Sequence, residues 1–246
     1  MTTELLYLED AYLREFEAVV QAVDPENHAL LLNRTTFYPG GGGQPADTGW
    51  LSFGAGHYTV LRVRKTPEGI WHHLPPEAPL PVPGTPVRGE IDWEHRYALM
   101  RTHTALHILC GVVFRDYGAL VTGGDMEPLQ GRMDFEFESL TKELVAVIEE
   151  SINREVRAAR PVRTAVLPRE EAFQIPDLIR TKINLLPPEI THVRTVEIVG
   201  LDLQADGGTH VRNTAEVGTI RVIDYKSKGK VNKRLYIALE PSPSLA

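Results

Sequence analysis

Cysteine is nearly absent: Cys110 is the single thiol in 246 residues. One thiol cannot form an intramolecular disulfide, so nothing here points to an oxidising compartment. Long apolar runs are missing too. No stretch approaches the ~18 residues of a membrane-spanning helix. The N-terminal MTTELLYLEDAYLREFEA carries acids early and has no basic start before an apolar run, so it does not read as a signal peptide. These absences predict a cytoplasmic protein. Positive charge is also short, since 26 Lys and Arg against 33 Asp and Glu leave a formal charge of −7. That balance does not advertise a nucleic-acid binder, although a local basic patch can carry phosphate contacts on an acidic chain. The sequence has no internal repeat and no low-complexity tract. What is present is ordinary for a globular protein: 42% hydrophobic and 24% charged residues, in a length that allows one large domain or two small ones.

The N-terminal part reads as β. FEAVVQAVD and HALLLNRTTF are apolar, β-branched runs separated by PEN, a hairpin pattern. GWLSF, HYTVLRVRK and GIWHHL follow a Gly-rich loop. PPEAPLPVPGTP then crowds prolines into a dozen residues, which excludes helix and central strand. It is a linker or a rigid connection, and the boundary is placed near Gly84 to Gly89. The reading is a small β-barrel-like domain over 1–88, followed by an α+β domain over 89–246 with two long helices packed on one antiparallel sheet.

In the second part, WEHRYALMRTHTALHILCGVVFRDYG has apolar residues recurring at three and four and predicts a buried helix of about six turns. QGRMDFEFE alternates like a half-exposed strand. SLTKELVAVIEESINREVRAAR is a second, amphipathic helix with Ser139 or Thr141 as N-cap. PVRTAVLP reads as a strand and IPDLIRTKI as a short helix. THVRTVEIVGLDLQ, VGTIRVIDYKSK and VNKRLYIALE read as strands.

Three local features could carry chemistry. His103 and His107 in RTHTALHIL are four apart on a helix, so their imidazoles lie one above the other and can grip one ion. Asp206 and His210 in QADGGTHV are also four apart, beside glycines that let the backbone turn; alone, that segment is a polar turn. Together the pairs supply four N/O donors, enough for a tetrahedral zinc site with bonds of about 2.0–2.2 Å. In FYPGGGGQPADTGWL, four consecutive glycines expose backbone amides, and Gln44 follows Gly41, Gly42 and Gly43 as an amide suited to a small polar ligand. KSKGKVNKR packs five basic residues, Lys226, Lys228, Lys230, Lys233 and Arg234, into nine. It is either a solvated hairpin loop or a phosphate-binding patch.

FYPGGGGQPADTG, RTHTALHIL, DGGTHVRNTAEVG and SKGKVNKR, in this order from about residue 30 to about 240, resemble the alanyl-tRNA editing proteins, the AlaX family, in their medium-length form. That family is similar to the editing domain of alanyl-tRNA synthetase. The resemblance implies a free-standing zinc-dependent deacylase acting on mischarged tRNA(Ala), mainly Ser-tRNA(Ala), with Gly-tRNA(Ala) as a further substrate. Editing of Ser-tRNA(Thr) and a catalytically impaired tRNA- or metal-binding module are the alternatives. The family's pattern is H-x3-H followed by C-x3-H, which His103, His107 and His210 match. Asp206 stands where the family has cysteine. It could ligate the metal, sit behind the ligands, act as a general base, or mark an engineered or inactivating change. The resemblance further implies that one Zn2+ per chain is held by His103, His107, Asp206 and His210. Gln44 and Thr104 would read the serine hydroxyl, and Gly41 to Gly43 would shape a lid over the histidines. The Lys226–Arg234 cluster would meet tRNA phosphates.

Overall fold

The computed structural model describes residues 3–181 and 190–240. They form two compact units, Met1–Ala98 and Leu99–Ala246, in a mixed α+β architecture.

The first unit is built on one curled antiparallel sheet. Its strand order is Gly56–Val60, Gly49–Phe53, Pro86–Ile91, Glu15–Asp24, Ala29–Leu32, Gly69–His73, Arg62–Thr66. The two outermost strands are consecutive in the chain, with Leu61 alone between them. A sheet whose edges are one residue apart has to curl toward closure, which gives a half-barrel. The run HYTVLRVRK is therefore two strands on opposite edges rather than one. Glu15–Asp24 belongs to both halves: its first part pairs with Pro86–Ile91 and its second with Ala29–Leu32, and the ladder shifts register between Val20 and Ala22. A bulge there bends the strand and increases its twist. Alternate residues fill the interior, among them Phe16, Ala18, Val20, Leu51 and Val87. Leu30, Leu32 and Phe37 are wholly buried, each contributing about 1.5–3 kcal/mol of transfer free energy. The proline-rich segment is a connection within this unit, because the chain resumes beyond it as the strand Pro86–Ile91 in the middle of the sheet.

The described residues of the second unit form two sheets, where the sequence suggested one. Val121–Glu127, Gln130–Glu136, Asn232–Leu239 and Ile220–Ser227 form a four-stranded sheet in that order; Val162–Pro168, His192–Ile198 and Asp202–Ala205 form a three-stranded one. Val121–Glu127 was not apparent in the sequence, since Gly123 and Gly124 interrupt its alternation. THVRTVEIVGLDLQ is a hairpin rather than one strand, turning at Gly200 with φ 76°. IPDLIRTKI does not form the expected helix in its described part. Asp177 has φ 54°, which breaks a right-handed helix, and the short helix lies earlier, at Arg169–Ala172. Its last residues, 182 and 183, lie outside the described residues.

The helix Lys142–Arg157 is capped by Thr141, whose hydroxyl accepts from the Leu144 amide, and it buries Val145, Ile148, Ile152 and Val156 at three- and four-residue spacing. The helix Trp93–Tyr117 differs: every residue from Leu99 to Val113 is buried. A helix enclosed all round takes its polar side chains inside with it, and each then needs a partner. Arg101 donates to the carbonyls of Val217 and Glu240, and Thr102 accepts from the Leu129 amide. His103, Thr104 and His107 face a different set of partners.

Candidate metal centre

His103 and His107 lie one turn apart on the buried helix, with ring centroids 5.1 Å apart. The chain returns to them after the strand Asp202–Ala205. His210 sits 4.2 Å from the His103 ring and 4.7 Å from the His107 ring, centroid to centroid. Asp206 closes the group, with its Oδ2 3.0 Å from His210 Nε2 and its Oδ1 3.5 Å from His103 Nε2. One donor atom from each of the four residues lies within 4.8 Å of the others. A tetrahedral ion with bonds near 2.0–2.1 Å sets its donors about 3.3–3.4 Å apart, so the two measured separations bracket that spacing. The histidine side chains are 6%, 8% and 2% exposed for His103, His107 and His210, and Asp206 is 14% exposed, so the group opens toward solvent at the carboxylate.

The turn that delivers Asp206 is held by polar contacts rather than by unusual backbone angles. Neither Gly207 nor Gly208 has a positive φ. The Asp206 carboxylate accepts the Gly208 amide at 2.7 Å, and Arg194 donates to the carbonyls of Asp206 and Gly208, both at 3.0 Å. Thr104, on the helix between the two histidines, is fully buried. Its hydroxyl oxygen accepts the Val211 amide at 3.2 Å and lies 3.2 Å from His210 Nδ1. That contact leaves His210 Nε2 facing the centre.

The protonation states suit a cation. Burial pushes His103 well below the usual imidazole value, against the pull of the Asp206 carboxylate. Burial likewise brings His210 down to about 4. Burial alone would raise the Asp206 carboxyl, but the surrounding His103, His210 and His107 outweigh it and hold it well below the usual carboxylate range. At neutral pH the centre therefore presents two neutral imidazoles and an ionised carboxylate, the forms that ligate a metal. His107 is the exception. Burial lowers its affinity for a proton, but Asp202 and Asp206 more than offset that, and its pKa is raised. Cys110 is buried, and burial pushes its thiol far up; a thiol so held is an inert core residue.

The Gly-rich loop belongs to the first unit and is tightly built. Gly40, Gly41, Gly42 and Gly43 all have positive φ, from 60° to 142°, which L side chains rarely adopt. Gly41 and Gln44 exchange backbone hydrogen bonds at 3.0 and 2.9 Å, and Gln44 is 2% exposed. The loop's neck is pinned. Tyr38 donates its amide to Asp47, and Asp47 donates its own to the Tyr38 carbonyl. Arg96, wholly buried, donates to the Asp47 carboxylate and to the carbonyls of Thr36 and Ala11.

The basic cluster divides by role. Lys233 lies on the buried face of Asn232–Leu239 and donates back to the carbonyls of Gly229 and Lys230. Arg234 forms a two-pronged pair with Asp134 at 2.6 and 2.7 Å. Lys226, Lys228 and Lys230 are exposed, Lys226 beside Asp224 at 3.1 Å.

Two residues of the centre escaped the sequence reading: Arg194, and Asp202, whose Oδ2 lies 3.1 Å from His107 Nδ1. Asp202, Gln204 and Asp206 alternate in LDLQAD, and a strand puts alternate residues on one face, so the signal was there in the period.

Comparison of the sequence with known proteins finds relatives. Residues 193–236 match the family described as Threonyl and Alanyl tRNA synthetase second additional domain, and residues 7–95 match tRNA synthetases class II (A). The chain is 41% identical over 241 residues to the alanyl-tRNA editing protein AlaX-M of Saccharolobus solfataricus, covering 97% of this chain and 100% of that protein. It is 38% identical over 243 residues to the AlaX-M of Methanosarcina acetivorans, covering 96% and 99%. It is also 38% identical over 227 residues to the alanine–tRNA ligase of Ignicoccus hospitalis, where the match covers 90% of this chain and 24% of the ligase.

Proposed function

The chain belongs to the AlaX-M family of alanyl-tRNA editing proteins, and from that premise we propose that it is a trans-editing hydrolase. It removes serine from Ser-tRNA(Ala), and glycine from Gly-tRNA(Ala), by metal-assisted hydrolysis of the ester to the terminal ribose. The observation that carries the reading is the buried group of His103, His107, Asp206 and His210, with four donor atoms within 4.8 Å.

A zinc ion held by His103, His107, Asp206 and His210 would supply positive charge to polarise a carbonyl or to make water a nucleophile near neutral pH. The chain's own groups do the rest. His103 and His210 stay neutral and keep lone pairs available. Asp206 is placed as the fourth ligand, a harder donor than the family's thiolate, at the exposed side of the group. Thr104 steadies His210. Gln44 is the amide proposed to read the serine hydroxyl, since a polar group left unpaired by alanine penalises that substrate. Lys226, Lys228 and Lys230 are proposed to meet phosphates, with Lys233 and Arg234 bracing the hairpin that presents them.

Asp206 at the family's cysteine position favours a second reading, a tRNA- or metal-binding module without turnover. Purified protein given Ser-tRNA(Ala), Gly-tRNA(Ala), Ala-tRNA(Ala) and Ser-tRNA(Thr) separates the possibilities. The editor releases serine and glycine from tRNA(Ala) and spares alanine; release from Ser-tRNA(Thr) instead moves the specificity, and no release from any substrate supports the inactive module.

A further inference from the structure

An imidazole has two nitrogens, and only one can face an ion. The partner of the other decides which one is free. His107 Nδ1 lies 3.1 Å from Oδ2 of Asp202, whose side chain is fully buried. That carboxylate is itself held by two further side chains. Gln204 Nε2 donates to the same Oδ2 at 2.7 Å, Arg180 Nε faces Oδ1 at 3.5 Å, and the Arg180 guanidinium carbon lies over the Phe114 ring, 3.8 Å from its centroid. Phe114 is one and a half to two turns beyond His107 on the same helix. Asp202 is thus locked to the helix that carries His107. Among the described residues, His210 Nδ1 faces the neutral Thr104 hydroxyl.

We propose that Asp202 is a positioning residue for the metal centre. It accepts the Nδ1 proton of His107, fixes that tautomer, and aims the Nε2 lone pair into the group formed with His103, Asp206 and His210. A carboxylate behind a histidine ligand also makes the imidazole a better donor. This rests on the reading of the four residues as a metal centre, and it assigns a role to a residue four positions before the first ligand of the second pair.

Two measurements on the full chain test it. The first is zinc affinity of the wild-type protein and of Asp202→Asn, by competition with a chromophoric chelator. The circular dichroism of each metal-free protein shows whether it is folded. Asn keeps the shape but presents an amide group to one of the donors, Gln204 and His107 or Arg180. A folded Asp202→Asn should bind zinc about 10- to 100-fold more weakly. The second is long-range 15N NMR of the histidines of the zinc-loaded wild-type protein, which needs no variant and should show His107 protonated at Nδ1 and not at Nε2. Equal zinc affinity in the two folded proteins, or a His107 protonated at Nε2, overturns the role of Asp202 alone. A wild-type protein that takes up no zinc overturns the metal reading as well. If Asp202→Asn fails to fold, the NMR tautomer decides.

Discussion

Asp206 is the carboxylate that the structure sets beside three histidines, and its surroundings say what it can do. It faces His210 and His103 at ligand spacing and is ionised. As a ligand, Asp206→Cys should bind zinc more tightly, because thiolate suits zinc better than a carboxylate oxygen, while Asp206→Ala should retain it poorly. A general base that never touches the metal would behave otherwise: Asp206→Ala would keep its zinc and lose its rate. Bound zinc and initial deacylation rate, measured on the three proteins, tell the two apart. His107 gives a pH prediction at the same scale. In the metal-free protein its pKa is raised above the usual 6.5, so below that value zinc must displace one proton, and affinity falls as pH falls. His103 and His210 are already neutral there, with His210 titrating only at about 4. The slope of log affinity against pH should therefore be about one between pH 6.5 and 5; a slope near three would mean all the histidines titrate together. Of this centre, the four donors were legible from two pairs at four-residue spacing. Asp202 was not, because alternation along LDLQAD was read for strand and not for which face its acids share.

Among the elements, the hairpin at Lys226–Arg234 shows why composition overstates a patch. Five basic residues in nine look alike in sequence, but strand alternation turns Lys233 inward and register sets Arg234 against Asp134. Lys228→Glu with Lys230→Glu should weaken tRNA binding and flatten its salt dependence, since each phosphate contact adds to the slope. Arg234→Ala should act on stability first. Filter binding across a salt series and thermal melts of the same proteins check both; an unchanged salt slope in the double variant would remove the hairpin from the interface. In the first unit, His72 is fully buried between Thr35 and the Leu30 carbonyl, and burial lowers it to about 4. Its unfolded value is near 6.5, so the unfolded chain binds the extra proton between these values. Stability is full above pH 6.5 and is lost as pH falls, by on the order of 3 kcal/mol at pH 4. Denaturant unfolding of His72→Gln should show a flatter dependence over that window than the wild type; equal slopes would assign the acid sensitivity elsewhere.

For the whole molecule, the sequence showed a β-rich first part and a helix–sheet second part, but not how strands were cut. HYTVLRVRK reads as one run because nothing in it is a turn residue; only curling of the sheet, with Leu61 between the two edges, divides it. The second sheet was hidden for a similar reason, since a hairpin through Val199, Gly200 and Leu201 carries a single weak turn signal. The buried helix was plain, because its apolar spacing runs unbroken around the two histidines. It is this helix, enclosed from Leu99 to Val113, that puts polar ligands in the interior of an otherwise acidic chain with one cysteine. The account stands on that buried group acting on an aminoacyl-tRNA ester. The measurement is the rate of serine release from Ser-tRNA(Ala) by the purified protein, taken as isolated, after metal stripping, and after zinc is restored, with Ala-tRNA(Ala) in parallel. The account predicts release that stripping abolishes and zinc recovers, with alanine left in place. Serine release that survives full removal of metal, or alanine released as fast as serine, would contradict it.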